Sequence, residues 1–393
     1  MHDLLLKNGR VIDPAQGLNR VADVAVDAGR IVSVAADINE AEARRVIDVK
    51  GRVVTPGLID PHVHVYEGFT RLGINPDLVG VQAGVTALAD AGSCGAYTYQ
   101  GFPVQVMPGI ATDLFVFINI ARMGLALNPE IESERDIDLD AAIQVVSENR
   151  GVVKGVKARM VSPALNIMGM EMPRMALRVA RETGTRAMFH IGHRVGNYSA
   201  EFIRELLPLL APGDIITHIY CDHVGGVLDA NRRLIPEARD ALDRGVFMDA
   251  GFGQTHFGFD AARRIIDQGI VAHSISSDIT GVGRRTSVHS FVEMMTRFLA
   301  LGFSLEEVVA MSTVNAARVL GIEATHGSLA PGRRADISVL DLRDGDWTVE
   351  DTEGASMKAA KSVVPVLTVK GGKVISPEWG LRPWGWTPNA GPE

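Results

Sequence analysis

Cysteine is nearly absent from this chain of 393 residues, which contains only Cys94 and Cys221. A disulfide framework is therefore not expected to hold the fold, and a reducing cytoplasm suits this composition. The opening residues, MHDLLLKNGRVID, lack the basic segment and apolar stretch of a signal peptide. No run approaches the roughly 18 apolar residues that a membrane helix needs. These absences predict a soluble, cytoplasmic protein.

An excess of basic residues is also absent. Lys and Arg total 39 against 47 Asp and Glu, which gives a formal net charge of −8. Nucleic acids and anionic membranes attract basic surfaces, so neither is expected as a partner. The GxGxxG motif of dinucleotide-binding folds does not follow the first strand of the central region, and the GxSxG nucleophile elbow of serine hydrolases does not occur. The two cysteines are weak candidates for a nucleophile, since free cysteines are usually small buried hydrophobes.

The two ends of the chain resemble each other. Residues 1–55 contain short alternating strands separated by Asn-Gly and Ala-Gly turns, and similar strands with a Gly-Gly turn return after residue 326. We therefore expect a small β-sandwich domain built from both termini, from residues 1–55 together with 326–393. The length leaves room for a barrel of about 250 residues beside it.

Between the termini, in residues 56–325, apolar strand runs alternate with helical stretches. This alternation predicts repeated βα units around a parallel sheet. Eight strand segments can be distinguished: LIDPHVH, VTALADAG, LFVFINIAR, VVKGVKAR, RAMFHIG, IITHIY, VFMDAG and HSISSD. Eight such units predict an α/β fold of the (β/α)8 TIM-barrel type rather than an open sheet.

Chemically active residues recur where these strands end, which is where active sites lie in such barrels. His62 and His64 are two positions apart on the first strand, so both side chains point the same way. The other residues of this kind are Lys157, His190, His218 and Asp278. Each alone has an ordinary structural explanation, but the shared position on five of eight strands favours a metal site. Imidazoles with a carboxylate suit zinc or another first-row divalent ion.

The run VVTPGLIDPHVHVYEG resembles the first-strand signature of the amidohydrolase superfamily. The order His-x-His, Lys, His, His, Asp matches its two-metal subtype. Further segments, HVHVYEG, GINPDLVGVQAGVTALADAGSCGA, GVKARM and SSDIT, are similar to those of the dihydroorotase-like deacetylases. The resemblance covers essentially the whole chain and implies a metal-dependent hydrolase.

The resemblance also implies a ligand set for two divalent ions, with zinc as the default. The first ion would be held by His62, His64 and Asp278, the second by His190 and His218, with carboxylated Lys157 as the bridging ligand. Lys154 is the alternative to Lys157, but its odd offset places it on the opposite face of the strand. Lys157 also matches the family's GVK pattern, and Lys154 is expected to be a charge on the outer side near the barrel rim.

The implied reaction is hydrolysis by a hydroxide that bridges the two ions while they polarise the scissile carbonyl. Asp278 would be the catalytic residue, since it would accept the proton of the hydroxide and return it to the leaving group. A non-catalytic relative of the family is the alternative of a different class. Such relatives usually lose ligands, and this sequence has the full set.

Substrate selection is expected in the loops that follow the strands. The candidate residues are Tyr66, Arg159, His256 and Arg284. Arg159 could bind a substrate carboxylate through two hydrogen bonds, or it could form a structural salt bridge. Dihydroorotase and hydantoinase relatives often carry HxHxR, and here Tyr66 occupies the arginine position. This departure favours cleavage of an N-acyl or O-acyl bond in a small carboxylate. Ring opening of a cyclic amide or imide is the alternative, and a homo-oligomer is compatible with either.

Overall fold

A computed structural model gives the fold and describes residues 1–194 and 200–377. The strands are β1 (Leu4–Asp13), β2 (Leu18–Asp27), β3 (Arg30–Ala35), β4 (Val46–Asp48), β5 (Val53–Pro56), β6 (Leu58–Val63), β7 (Val85–Gly95), β8 (Asp113–Asn119), β9 (Val153–Arg159), β10 (Arg186–His190), β11 (Ile215–Thr217), β12 (Phe247–Asp249), β13 (Ile337–Glu350), β14 (Ser356–Lys370) and β15 (Lys373–Ile375). The α-helices are α1 (Pro76–Val79), α2 (Leu139–Glu148), α3 (Ala164–Met168), α4 (Glu171–Thr183), α5 (Glu201–Leu206), α6 (Pro236–Asp243), α7 (Phe259–Asp267), α8 (Phe291–Ala300), α9 (Leu305–Ser312) and α10 (Val314–Leu320).

A curled parallel sheet forms the centre of the molecule. Strands β6 to β12 pair in chain order, each parallel to the next. Helices separate most of these strands along the chain, so the expected mixed α/β architecture is confirmed. Strand β7 is buried along its whole length, as expected for a parallel strand covered on both faces.

Residues 273–278, expected to be the eighth strand, lie outside the seven strands of this sheet but bond to both of its edges. The Ala250 N–H, just after β12, donates to the Ser274 carbonyl at 3.2 Å. The Asp278 N–H donates to the carbonyl of His62, in β6, at 2.8 Å. The segment thereby connects the two edge strands and holds Asp278 directly beside His62.

The terminal segments share a second sheet of eight strands. Its order is β15-β14-β13-β5-β1-β2-β3, with β4 paired to β1. Strand β13 runs antiparallel to β5, with Val339 opposite Val54. The two chain ends are thus joined by hydrogen bonds, but the two facing layers of the expected β-sandwich are not confirmed. Register shifts at two places along β13 and β14 allow these long strands to bend while remaining in a single ladder.

Buried apolar side chains fill the space between the parallel sheet and its helices. Helix α4, for example, buries six apolar residues, among them Met172, Leu177 and Val179, and it contacts β9 and β10. Within residues 1–194 and 200–377, no helix is both long enough and apolar enough to cross a membrane.

Candidate metal centre

The expected ligands converge at the carboxyl end of the parallel sheet. His62 lies near the end of β6, Lys157 near the end of β9, and His190 is the last residue of β10. The side chains of His62, Lys157 and His218 are about 1% exposed or less. Such burial of basic and imidazole groups is costly unless they have partners. The local strand pattern therefore brings the six expected ligands to one place.

Asp278 lies beside both histidines at the end of β6. Its Oδ1 lies 3.1 Å from His64 Nε2 and 3.4 Å from His62 Nε2. Burial favours the neutral form of this carboxyl, but the nearby imidazoles of His62 and His64 outweigh burial, and the pKa of Asp278 is lowered. Asp278 is therefore ionised at neutral pH, which is the form that binds a cation.

His190, His218 and His256 form a second group next to the first. Ring nitrogens of all three lie within 4.8 Å of one another. The Nε2 atoms of these histidines are buried and have no hydrogen-bond partner among the residues that the structure describes. Burial lowers the pKa of His256 to about 3, and it lowers the pKa of His190 and of His218 well below the ordinary value. Each ring is thus neutral, and the three buried Nε2 atoms belong to rings that lie next to one another.

Lys157 lies between these groups and has no acidic hydrogen-bond partner in the described part of the chain. Its Nζ is 3.3 Å from His62 Nε2 and 3.4 Å from Met188 Sδ. Burial lowers the pKa of the amine to about 7, although Asp278 and Asp249 oppose that effect. Lys154 lies at the start of β9 and so at the opposite end of the sheet, which supports the choice of Lys157.

The ring orientation of His62 follows from its neighbours. Thr217 Oγ1 donates its one proton to Asp249 Oδ2 at 2.7 Å. The same oxygen lies 3.0 Å from His62 Nδ1, so it accepts the Nδ1 proton of that ring. Asp249 also accepts hydrogen bonds from the hydroxyls of Ser274 and Ser276, each at 2.7 Å. His62 Nε2 consequently faces Lys157 and Asp278 with a free lone pair.

His218 and His64 are held in the same way. His218 Nδ1 donates to the Gly251 carbonyl at 2.6 Å, which leaves its Nε2 unprotonated. His64 Nδ1 lies 2.8 Å from Ser93 Oγ, and the Ser93 side chain in turn donates to Asp90. Histidines that bind metals usually donate their other ring N–H to such a second group. The residues present therefore fit a metal ion, with anchored rings and lone pairs directed to one space.

Backbone strain accompanies two of these positions. His218 has a φ of 73° and Asp278 a φ of 50°, in the left-handed region that favours glycine. Glycines face both residues: a Cβ on Gly251 would lie 2.6 Å from His218 Nδ1, and one on Gly253 would lie 2.4 Å from Asp278 Oδ2. Strained conformations of this kind concentrate at functional sites, where the surrounding structure enforces them.

The two candidate arginines differ in their surroundings. Arg159, at the end of β9, forms an ion pair with the buried Glu130, with NH1 2.7 Å from Oε2. Arg284 follows Asp278 in the chain by six residues, and its N–H donates to the Thr280 carbonyl at 2.9 Å. Burial lowers the pKa of Arg284, and no acidic side chain within residues 1–194 and 200–377 offsets that burial.

Tyr66 is buried just after the end of β6. Its ring stacks on Phe69 and Phe102, with centroids 4.4 Å and 4.3 Å away, and its hydroxyl donates to the Thr98 carbonyl. The cysteines are also buried. Burial raises the pKa of Cys221 to about 12, so its thiol remains protonated and is a poor nucleophile.

Sequence reasoning missed the residues that orient the histidines. Thr217 and Asp249 lie at the ends of β11 and β12, the same strand-end positions that identified the ligands. An aspartate at the end of the VFMDAG segment was a usable signal. Ser93 carried no comparable signal, because its contact with His64 joins residues on two different strands.

Comparisons with known proteins agree with this geometry. The amidohydrolase family model matches residues 215–375. A protein named deacetylase from Agrobacterium fabrum is 29% identical over 378 residues, which cover 95% of this chain and 91% of the relative. A crystal structure of an adenine deaminase is similar with a TM-score of 0.86 at 27% identity, covering 96% of this chain and 100% of that one. A dihydroorotase structure gives 0.83 at 27% identity, covering 96% and 99%. Residues 215–375 thus match the amidohydrolase family, and the resemblance seen in the sequence is confirmed.

Proposed function

We propose that this chain with its amidohydrolase family domain is a metal-dependent hydrolase that cleaves an N-acyl or O-acyl bond of a small carboxylate. The observation that carries the proposal is the orientation of the histidines. His62 and His218 each use Nδ1 as a donor and turn an unprotonated Nε2 toward one buried space. Ordinary core histidines would pair both ring nitrogens.

Two groups of side chains would hold two ions. His62, His64 and Asp278 would hold the first, and zinc is the ion that these nitrogen and oxygen ligands suit. His190 and His218 would hold the second. We include His256 with them, because one of its ring nitrogens lies within 4.8 Å of theirs and its Nε2 is buried. This assignment goes beyond the substrate role that the sequence suggested for His256.

Lys157 would join the two ions as a carbamate. With a pKa of about 7, the amine is substantially neutral at neutral pH. The neutral Nζ can form a bond to the carbon of carbon dioxide and lose one proton, which gives an anionic carbamate. That anion offers two oxygens in place of one nitrogen, and the cationic surroundings would stabilise it.

Asp278 would move the proton of the reaction. Bound divalent ions lower the pKa of a coordinated water and polarise a carbonyl oxygen. Asp278 is ionised, and its Oδ1 is beside His62 and His64, so Oδ2 is the oxygen free to accept a proton. The same atom would return the proton to the leaving nitrogen or oxygen, as a general base followed by a general acid.

Arginines would hold the substrate carboxylate. Glu130 bonds NH1 of Arg159 and thereby fixes the side chain, while the remaining guanidinium donors are available. Arg284 has no acidic partner in the described ranges, so a substrate carboxylate would offset the cost of its burial. Tyr66, with its hydroxyl bonded to Thr98, would shape the wall rather than contact the reacting bond.

The decisive experiment measures hydrolysis by the zinc-loaded protein across one panel. The panel contains N-acetyl amino acids of both hands, O-acetyl hydroxy acids, dihydroorotate, hydantoins and cyclic imides. We expect turnover confined to the acyclic acyl compounds. An Asp278→Asn variant serves as the control for contaminating hydrolases and should be inactive.

Ring opening of a cyclic amide is the second candidate, and the similarity to a dihydroorotase structure over 96% of the chain favours it. Turnover confined to the cyclic compounds, and lost in Asp278→Asn, would establish this second function and refute the first. Absence of turnover with two ions bound would refute both and favour a non-catalytic role for the site.

A further inference from the structure

A second candidate binding site lies at the opposite end of the parallel sheet, where the strands begin. A cavity of about 710 Å³ opens there between the terminal segments and the strand starts. Its charged and titratable lining residues are Arg30, Asp113, Lys154, His326, Arg333 and Arg334. Asp113 is the first residue of β8 and Lys154 the second of β9, so the cavity is remote from the candidate metal centre.

Three cations of this lining have no acidic partner. Arg30 NH1 donates to the Gly332 carbonyl at 2.9 Å, and Lys154 Nζ donates to the Gly151 carbonyl at 3.0 Å. Arg333 donates to a backbone carbonyl as well. Within residues 1–194 and 200–377 none of the three forms an ion pair. In a chain whose net charge is −8, such a group of unpaired cations calls for a specific explanation.

The one carboxylate in the lining does not neutralise them. Asp113 is bonded instead by His326, Arg334 and Lys370. An adjoining groove of about 410 Å³ shares Lys154 and adds two cations, Arg150 and Arg186, and one carboxylate, Asp214, which pairs with Arg181. Burial and the neighbouring Arg186 lower the pKa of Lys154, as expected where positive charge is not compensated. The cavity therefore keeps an excess of positive charge.

We propose that this cavity binds a small phosphorylated metabolite. Guanidinium groups from β3 and from the loop before β13, with the ammonium of β9, would contact a phosphate from several walls. A tetrahedral phosphate offers oxygens to all of them, whereas a carboxylate offers only one edge. The volume lies in the range of small-molecule sites, about 300–1,000 Å³. Phe115 adds an apolar surface, with Lys154 Nζ 4.7 Å from the ring centre.

Titration calorimetry of the full chain with inorganic phosphate and with glycerol phosphate tests this site. We expect binding to the unmodified chain and at least roughly tenfold weaker binding to an Arg30→Gln, Arg333→Gln double variant, because two charge-assisted contacts are lost. The matched control replaces two exposed arginines that have no acidic partner, as Arg20→Gln with Arg263→Gln. It should bind like the unmodified chain.

Two further variants keep the test decisive. Lys154→Met leaves both arginines in place and should also weaken phosphate binding. It replaces the double variant in the test if that variant does not fold. Asp278→Asn should bind phosphate normally, which separates this cavity from the candidate metal centre. Equal affinity in the double variant and its control would overturn the proposal. Loss of binding in Asp278→Asn alone would overturn it as well, because the phosphate would then occupy the other end of the sheet.

Discussion

Thr352 forms three hydrogen bonds with the backbone of Phe257, the residue that follows His256. The Thr352 N–H and Oγ1–H both donate to the Phe257 carbonyl at 2.9 Å, and the Phe257 N–H donates to Oγ1 at 3.0 Å. Thr352 lies at the tip of the β13–β14 hairpin. The terminal sheet thus reaches the candidate metal centre and holds the loop that carries His256.

We expect Thr352→Val to loosen this loop. The change keeps the branched shape but leaves the buried Phe257 N–H without its acceptor, at a cost of about 1–3 kcal/mol. Urea denaturation should show that loss in the free energy of unfolding, together with a lower kcat. Thr348→Val, in β13, is the matched control. It should change the free energy of unfolding by less than about 0.5 kcal/mol, and kcat by less than the roughly twofold factor that this energy represents. An unchanged kcat in a destabilised Thr352→Val would show that the hairpin contributes only stability.

His256→Ala should remove metal as well as activity. The variant leaves the proposed second ion with His190, His218 and the Lys157 carbamate, and the loss of one protein ligand should weaken its binding. Elemental analysis of the zinc-loaded protein should show about one fewer ion per chain than in the unmodified protein. His2→Ala, remote from this end of the sheet, is the control. Full metal content with a raised KM would instead assign His256 to substrate binding.

Formation of the Lys157 carbamate should depend on pH with a midpoint near 7, the pKa of this amine. Only the neutral amine has the lone pair that attacks carbon dioxide. Below the midpoint the rate should therefore fall by about tenfold per pH unit, and above it the rate should level off. The measurement is the initial rate at which the carbamate signal of the metal-free protein grows after ¹³C-labelled carbon dioxide is added at a fixed dissolved concentration.

Two variants identify the lysine responsible. Lys157→Met should give no carbamate signal at any pH and should be inactive. Lys154→Met should retain both the signal and the midpoint, since Lys154 lies at the other end of β9. A signal that persists in Lys157→Met would contradict the assignment of the bridging lysine.

Arg159→Met should affect substrate binding more than chemistry. Loss of a charge-assisted contact to the substrate carboxylate should raise KM about 10- to 100-fold. A neutral ester or amide of the same acyl compound should be affected far less. Arg122→Met is the control, because the NH2 of Arg122 lies 3.8 Å from Asp136 Oδ1 in a partly exposed ion pair. Equal losses for charged and neutral substrates would mean that Arg159 acts through Glu130 as a structural group.

The positions of the candidate ligands could be predicted from sequence because they depend on local rules. Residues two apart on a strand share a face, so His62 and His64 were certain to point together once the strand was recognised. Strand ends in repeated βα units meet at one edge, which placed Lys157, His190 and His218 near them. Composition and the apolar strand runs likewise indicated a mixed α/β fold around a parallel sheet.

Contacts between distant parts of the chain were decided only by the tertiary structure. The hydroxyl that orients His62 belongs to Thr217, which lies 155 positions away in the sequence. His256 joins His190 and His218 only because of how its loop packs, and Thr352 holds that loop from 95 residues further along. Unpaired cations around the cavity are equally invisible in sequence, because Arg30 and Arg333 lie about 300 residues apart. Strand pairing also joined the terminal strands into one sheet where two layers were expected. Periodicity encodes which way a side chain faces, whereas its partners depend on how whole elements pack.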